Sequence, residues 1–127
     1  MLRRFRNSWQ MPQGLRRSVH LHHNDATLVV SLHGVIDLPM AEQIGRHLAQ
    51  LTAIGSPVAV HIDLVDATFV GETGPVFLPV AIAARSRGIH LTAHRADAVQ
   101  RASLQGLGLE RLLQYSEEPA AAAAGPA

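Results

Sequence analysis

The chain has no cysteine among its 127 residues. That absence excludes a disulfide framework, a CxxC redox pair and a thiolate zinc site, and it suits a reducing compartment. Aromatic residues are sparse: three Phe, one Trp and one Tyr. Trp9 and Tyr115 lie toward the two ends, so stacking on nucleic-acid bases has little to build on. Neither sign of charge dominates, since 11 Lys and Arg face 10 Asp and Glu for a net +1. No general pull toward nucleic acid or an anionic membrane follows. No apolar run approaches the ~20 residues a membrane helix needs. The basic start, Met1 to Arg6, has no apolar h-region behind it, so a secretory leader is not expected. The nucleophile elbow, the Walker loop, GxGxxG and HExxH are all missing. The expectation is a cytoplasmic protein with no nucleic-acid partner, no membrane insertion, no cofactor and no catalytic residues.

What is present is enough apolar side chain, 47% of the residues, for one domain with a single core. Residues 1–17 show no clean period and read as a basic tail carrying Arg3, Arg4, Arg6, Arg16 and Arg17. Alternation then sets in. Val19, Leu21 and His23 alternate with His20 and His22, and Leu28, Val30 and Leu32 alternate with Val29, Ser31 and His33. Two strands are implied, separated by the Asn24-Asp25 turn signal. Asp37 offers a cap oxygen and Pro39 suits a first helical turn. Met40, Ile44, Leu48 and Leu51 follow at helical spacing. Gly55-Ser56-Pro57 ends that helix.

Val58, Val60, Ile62 and Leu64 mark a third strand, followed by a loop through Phe69 and Gly71. A second helix runs from Gly74-Pro75 to Arg87, stopped by Gly88. Ile89, Leu91 and Ala93 mark a fourth strand, and residues 96–107 a third helix. Residues 116–127 read as an Ala- and Pro-rich tail, frayed apart from a short helix at 120–124. Strands alternating with helices imply crossover connections and a largely parallel sheet, with the first strand as an antiparallel edge. Parallel strands buried on both faces read as continuous apolar runs. These strands alternate, so the helices should cover mainly one face.

At this point the residues resemble a known family. Gly34-Val35-Ile36-Asp37 resembles the "GELD" corner of STAS domains, the anti-sigma factor antagonist family. Residues 63–70, DLVDATFV, resemble its "DLSGVTFI" strand and loop. Gly71-Glu72-Thr73-Gly74 stands where that family has "DSSG" or "DSTG". Gly88-Ile89-His90-Leu91 resembles "GGRLVL", and residues 108–113, GLERLL, resemble "GLDRLL". The resemblance spans about residues 18 to 115, in order. It implies an α/β domain with a mixed four- to five-stranded sheet and helices mainly on one face. It implies partner switching: the antagonist binds a kinase-type anti-sigma factor when unphosphorylated and leaves when the first serine of the motif is phosphorylated.

The departure lies at that serine. Glu72 occupies the position, Gly71 replaces the preceding aspartate, and only Thr73 keeps a hydroxyl. A carboxylate near a helix N-terminus carries a permanent −1 and imitates a phosphate in part. The alternative, of equal standing, is that Glu72 only stabilises a first helical turn, by roughly 0.3–1 kcal/mol. The expected switch loop is therefore Gly71, Glu72, Thr73 and Gly74 with Asp37 nearby, and Thr73 is an alternative phosphosite. The second helix is apolar on nearly every side. Val76, Phe77 and Val80 are assigned to a face that docks the partner. The alternative is a STAS scaffold or ligand-sensing module that works without phosphorylation, in a nucleotide or lipid-transport complex.

Strand parity puts His33, His61 and His90 on the less buried face, with His20 and His22 beside them. Their spacing lacks a ligand triad, and no metal site is assigned. Asp37, Asp63 and Asp66 lie near strand ends, where carboxylates serve as caps and loop acceptors or assemble an acid/base pair or a Mg²⁺ site.

Overall fold

The computed structural model describes residues 19–24, 26–55, 57–71, 78–105 and 113–123. Its elements are β1 (Val19–Asn24), β2 (Thr27–Ile36), α1 (Leu38–Gly55), β3 (Ala59–Phe69), α2 (Leu78–Ser86), β4 (His90–His94), α3 (Ala98–Gln105), β5 (Gln114–Ser116) and α4 (Ala120–Ala123). The five strands form one sheet in the order β1-β2-β3-β4-β5. β1 pairs antiparallel to β2, and every later pair is parallel.

That order explains the one-sided packing. Each crossover steps one strand in the same direction, and right-handed crossovers of that kind put every connecting helix on one face. The core joins Leu28, Val30 and Leu32 of β2, Val60, Ile62 and Leu64 of β3, and Leu91 and Ala93 of β4. Against them lie Ala41, Ile44, Leu48 and Leu51 of α1, Val80, Ala81 and Ala84 of α2, and Leu104 of α3. Fully burying one Leu or Ile side chain contributes about 1.5–3 kcal/mol.

The helix ends follow local chemistry. Asp37 Oδ1 accepts the Met40 N–H at 3.0 Å and caps α1. α2 closes where Gly88 takes φ +68. The Ile89 N–H donates to Ala84 O at 2.8 Å. This six-to-one bond with a left-handed glycine is the Schellman arrangement. α3 starts with a reciprocal capping box: the Gln100 N–H donates to Asp97 Oδ1 at 2.7 Å, and the Asp97 N–H to Gln100 Oε1 at 2.8 Å.

Two expectations are corrected. The third strand does not end near Leu64; it continues to Phe69. Ser31 pairs with Asp63 but His33 pairs with Asp66, so β3 carries one extra residue there. This β-bulge flips the inward parity from 60, 62 and 64 to 67 and 69. The alternation breaks at Val65-Asp66, which hides the strand's second half. The other correction concerns the C-terminal segment, whose residues 114–123 are packed rather than frayed; the short helix and a sheet of five strands are as expected. Residues 114–116 add a fifth strand, and Ala120, fully buried, starts a short helix against the sheet's second face.

Candidate functional site

The carboxyl ends of β2 and β3 meet where the expected switch loop departs. Backbone hydrogen bonding ties them together, for the Val70 N–H donates to Ile36 O at 3.0 Å. Two glycines shape the corner. Gly34 has φ +83 and Gly71 has φ +76, conformations that strain any side chain with a Cβ. Asp37 is exposed and its carboxylate is occupied by the α1 cap. Around this end three apolar side chains face solvent: Val35 at 65%, Val70 at 49% and Leu38 at 44% exposure.

Of the expected switch residues, Gly71 and Asp37 fall at this end of the sheet. Glu72, Thr73, Gly74, Val76 and Phe77 lie outside the described residues. Val80 requires a correction. It is fully buried in the core, where α2 packs on the sheet. The solvent-facing apolar residue of α2 is Ile82, 54% exposed. Helical spacing accounts for this: Val80, Ala81 and Ala84 share the inward face, and Ile82 lies off it.

The three aspartates separate into different tasks. Asp37 caps a helix, Asp66 is exposed with its Oδ2 3.5 Å from His33 Nδ1, and Asp63 is buried. Arg95 Nε and Nη2 donate to Asp63 Oδ1 at 3.2 Å and Oδ2 at 2.8 Å. The Val65 and Ala120 N–H groups donate to the same carboxylate at 3.1 and 2.9 Å. Burial pushes the Asp63 pKa up, but these four donors and the guanidinium charge outweigh burial and hold it below the usual carboxylate range. Arg95 reaches Asp63 from a left-handed backbone, φ 53, which costs a non-glycine residue about 1–2 kcal/mol. Its two charge-assisted bonds offset that strain. Asp63 is thus a saturated structural anion, with no free oxygen for a general base or a metal.

The bulge in β3 has its own partner. Gln100, 1% exposed, donates through Nε2 to Leu64 O at 3.0 Å and Ala67 O at 2.8 Å. One amide therefore links the start of α3 to the strand segment that leads to Gly71. The Asp-x-x-Gln spacing of the capping box is visible in the sequence. The second job of Gln100 is not, because its acceptors lie more than thirty positions earlier.

Four of the eight histidines form two pairs. His20 and His33 have ring centroids 4.5 Å apart. His61 Nδ1 lies 2.8 Å from His94 Nε2, and His94 Nδ1 lies 2.8 Å from Glu118 O. His90 is exposed. Among the described residues no three His, Asp or Glu side chains gather in a metal-binding group. No helix among them is long and apolar enough to cross a membrane.

No protein-family model and no curated protein matches this sequence. Its likeness to known proteins lies at the level of fold. The structure of the anti-sigma factor antagonist SpoIIAA in its unphosphorylated form aligns with a TM-score of 0.66 at 17% identity, covering 80% of this chain and 90% of that one. A serine-to-glutamate variant of RsbS from Moorella thermoacetica aligns with a TM-score of 0.63 at 18% identity, covering 76% and 84%. An anti-sigma factor antagonist from Mycobacterium paratuberculosis aligns with a TM-score of 0.59 at 21% identity, covering 86% and 94%. The mixed five-stranded sheet with its helices is the STAS fold of these antagonists.

Proposed function

We propose that this protein is a non-enzymatic docking regulator of the anti-sigma factor antagonist type, acting in the cytoplasm on a kinase-type anti-sigma factor. The observation that carries this reading is the exposed apolar rim of Val35, Leu38 and Val70 at the strand ends from which residues 71–74 depart. Exposed aliphatic side chains gathered at one end of a small domain suit a protein partner. Ile82 of α2 adds a further exposed aliphatic side chain in the next described element. The saturated Asp63 and the capping Asp37 support a binding role over a catalytic one.

Glu72 stands in the position of the family's serine. A carboxylate there holds a permanent charge beside the docking rim and keeps the switch in one state. The test is the affinity for an anti-sigma kinase before and after Glu72→Ser. A fixed switch predicts tighter binding by the serine variant, and loss of that binding once the kinase phosphorylates it. Equal affinity for the two forms removes the phosphomimic role. Phosphopeptide mass spectrometry decides whether Thr73 is modified instead. The same glutamate favours a second reading, a scaffold or ligand-sensing module that needs no phosphorylation. A pull-down that returns a transporter ATPase and no anti-sigma factor supports that one.

A further inference from the structure

The second face of the sheet carries a fastening that the docking reading neither uses nor needs. Residues 117–123 run across that face as a strap and are held at named points. The Ala120 N–H donates to Asp63 Oδ2 at 2.9 Å, and Glu118 O faces His94 Nδ1 at 2.8 Å. Just before the strap, the Arg95 N–H donates to Ser116 O at 2.8 Å. Arg101 pairs with Glu117 and lies over the Tyr115 ring, 4.8 Å from its centroid.

The hydrogen positions in the histidine pair follow from the acceptors. A carbonyl oxygen only accepts, so His94 Nδ1 carries a hydrogen and donates it to Glu118 O. In the neutral ring His94 Nε2 is then a lone pair, and the 2.8 Å contact makes His61 Nδ1 its donor. His94 is 1% exposed and boxed in, whereas His61 is half-buried. The rings are tilted by 55° with centroids 5.0 Å apart.

We propose that the His61–His94 pair is a proton-operated catch for the 117–123 strap, closed while the pair holds at most one extra proton and opened by the second. The first proton fits without disruption, on the outward Nε2 of His61 or between the two rings. The second forces an N–H to face an N–H across 2.8 Å, with both rings cationic. His94 cannot turn away without breaking its bond to Glu118 O, and that bond is a strap anchor. Burial first, and the neighbouring His94 charge second, lower the His61 pKa. The catch therefore stays closed at neutral pH and opens below the ordinary histidine midpoint of about 6.5.

The charged surroundings do not override this. On β3, Asp63 sits beside His94 in register, but Arg95, just after β4, offsets its charge. His90 lies at the far end of β4, exposed. On β1 and β2, His22 lies across Val29 from His61, and His20 stacks on His33 next to Asp66. From the strap, Glu117 is engaged by Arg101 and the Glu118 side chain points to solvent.

Nuclear magnetic resonance of the ¹⁵N-labelled full chain, titrated from pH 7.5 to 4.5, tests the catch. The amides of Glu118 and Ala120 should stay in place while the pair takes up its first proton and move to coil positions together as it takes up the second. The Ala41 amide, bonded to Asp37 O at 2.8 Å in α1, should stay in place. His61→Gln keeps an N–H donor that does not titrate, and it should hold Ala120 in place at least one pH unit lower. The proposal is overturned if both imidazoles titrate while Ala120 stays bound, which means that His61 swings away and the strap remains. Release only together with α1, or an unchanged midpoint in the His61→Gln variant, overturns it as well.

Discussion

The two faces of the sheet are built from the same strands and obey different physics. On one face Leu28, Val30, Leu32, Val60, Ile62 and Leu64 meet three helices through contacts that have no direction. On the other, Ser31, His33, His61, Asp63 and His94 stand in the alternate positions. There the attachments are aimed: Arg95 and Ala120 to Asp63, and His94 to Glu118 O. Burial on the first face makes the domain stable and tolerates exchange of one aliphatic residue for another of similar volume. Hydrogen bonds on the second face fail if one partner changes.

Substitutions should separate the faces by magnitude and by reach. The largest effect belongs to the helix-covered face: Leu48→Ala should cost about 2–5 kcal/mol in urea unfolding, because a fully buried side chain leaves a cavity. On the other face, Asp63→Asn should cost about 1–3 kcal/mol, discounted because the Arg95 side chain is 36% exposed. It should also free the strap, seen as loss of the Ala120 amide's protection from exchange. If Asp63→Asn leaves Ala120 protected, the strap is not anchored there.

The same residue sets a pH signature. The folded-state pKa of Asp63 is depressed. Its contribution is complete above the unfolded value of about 3.9 and is lost as pH falls below it. The Asp63→Asn variant should therefore show a flatter fall in stability between pH 5 and pH 2 (approximate limits for that linkage). The His61 pKa is depressed too. For a histidine the neutral folded form binds fewer protons than the unfolded chain, so stability declines earlier, as pH drops through about 6.5.

Gln100 lies between the faces and should show an intermediate effect. Gln100→Leu removes the donor to Leu64 O and Ala67 O and should cost about 1–3 kcal/mol. Its resonance shifts should concentrate at the β3 bulge and at Val70 and Gly71. Shifts confined to α3 contradict a link between Gln100 and the end of β3. The smallest effect belongs to the exposed cap, where Asp37→Ala should cost about 1 kcal/mol and fray only the first turn of α1.

Legibility in the sequence divides along the same line. Period-two runs such as Val60-Ile62-Leu64 and the helical spacing of Ile44, Leu48 and Leu51 record burial directly, so strands, helices and one-sided packing are readable. The bulge is not, because one inserted residue at Val65-Asp66 breaks the parity on which the reading depends. Asp63 was visible as a carboxylate near a strand end, but its partner Arg95 comes 32 positions later. The strap has the sequence of a largely frayed tail because a run of alanines carries no pattern. Its anchors are backbone groups, Ala120 N–H and Glu118 O, which leave no mark in residue identity. The inward position of Val80 is not legible because its helix is apolar on nearly every side, and composition alone cannot orient such a helix.

Docking at the carboxyl ends of the strands is the central claim, and one affinity comparison addresses it. Val70→Asp places a charge in the exposed rim; Val58→Asp places the same charge on a side chain 60% exposed just before β3, at the opposite end of the sheet. Titrated against a kinase-type anti-sigma factor, the unaltered protein and Val58→Asp should bind alike, while Val70→Asp should bind at least about tenfold more weakly, a loss of about 1.4 kcal/mol. Equal affinity for the two variants, or no binding by the unaltered protein, would contradict the account.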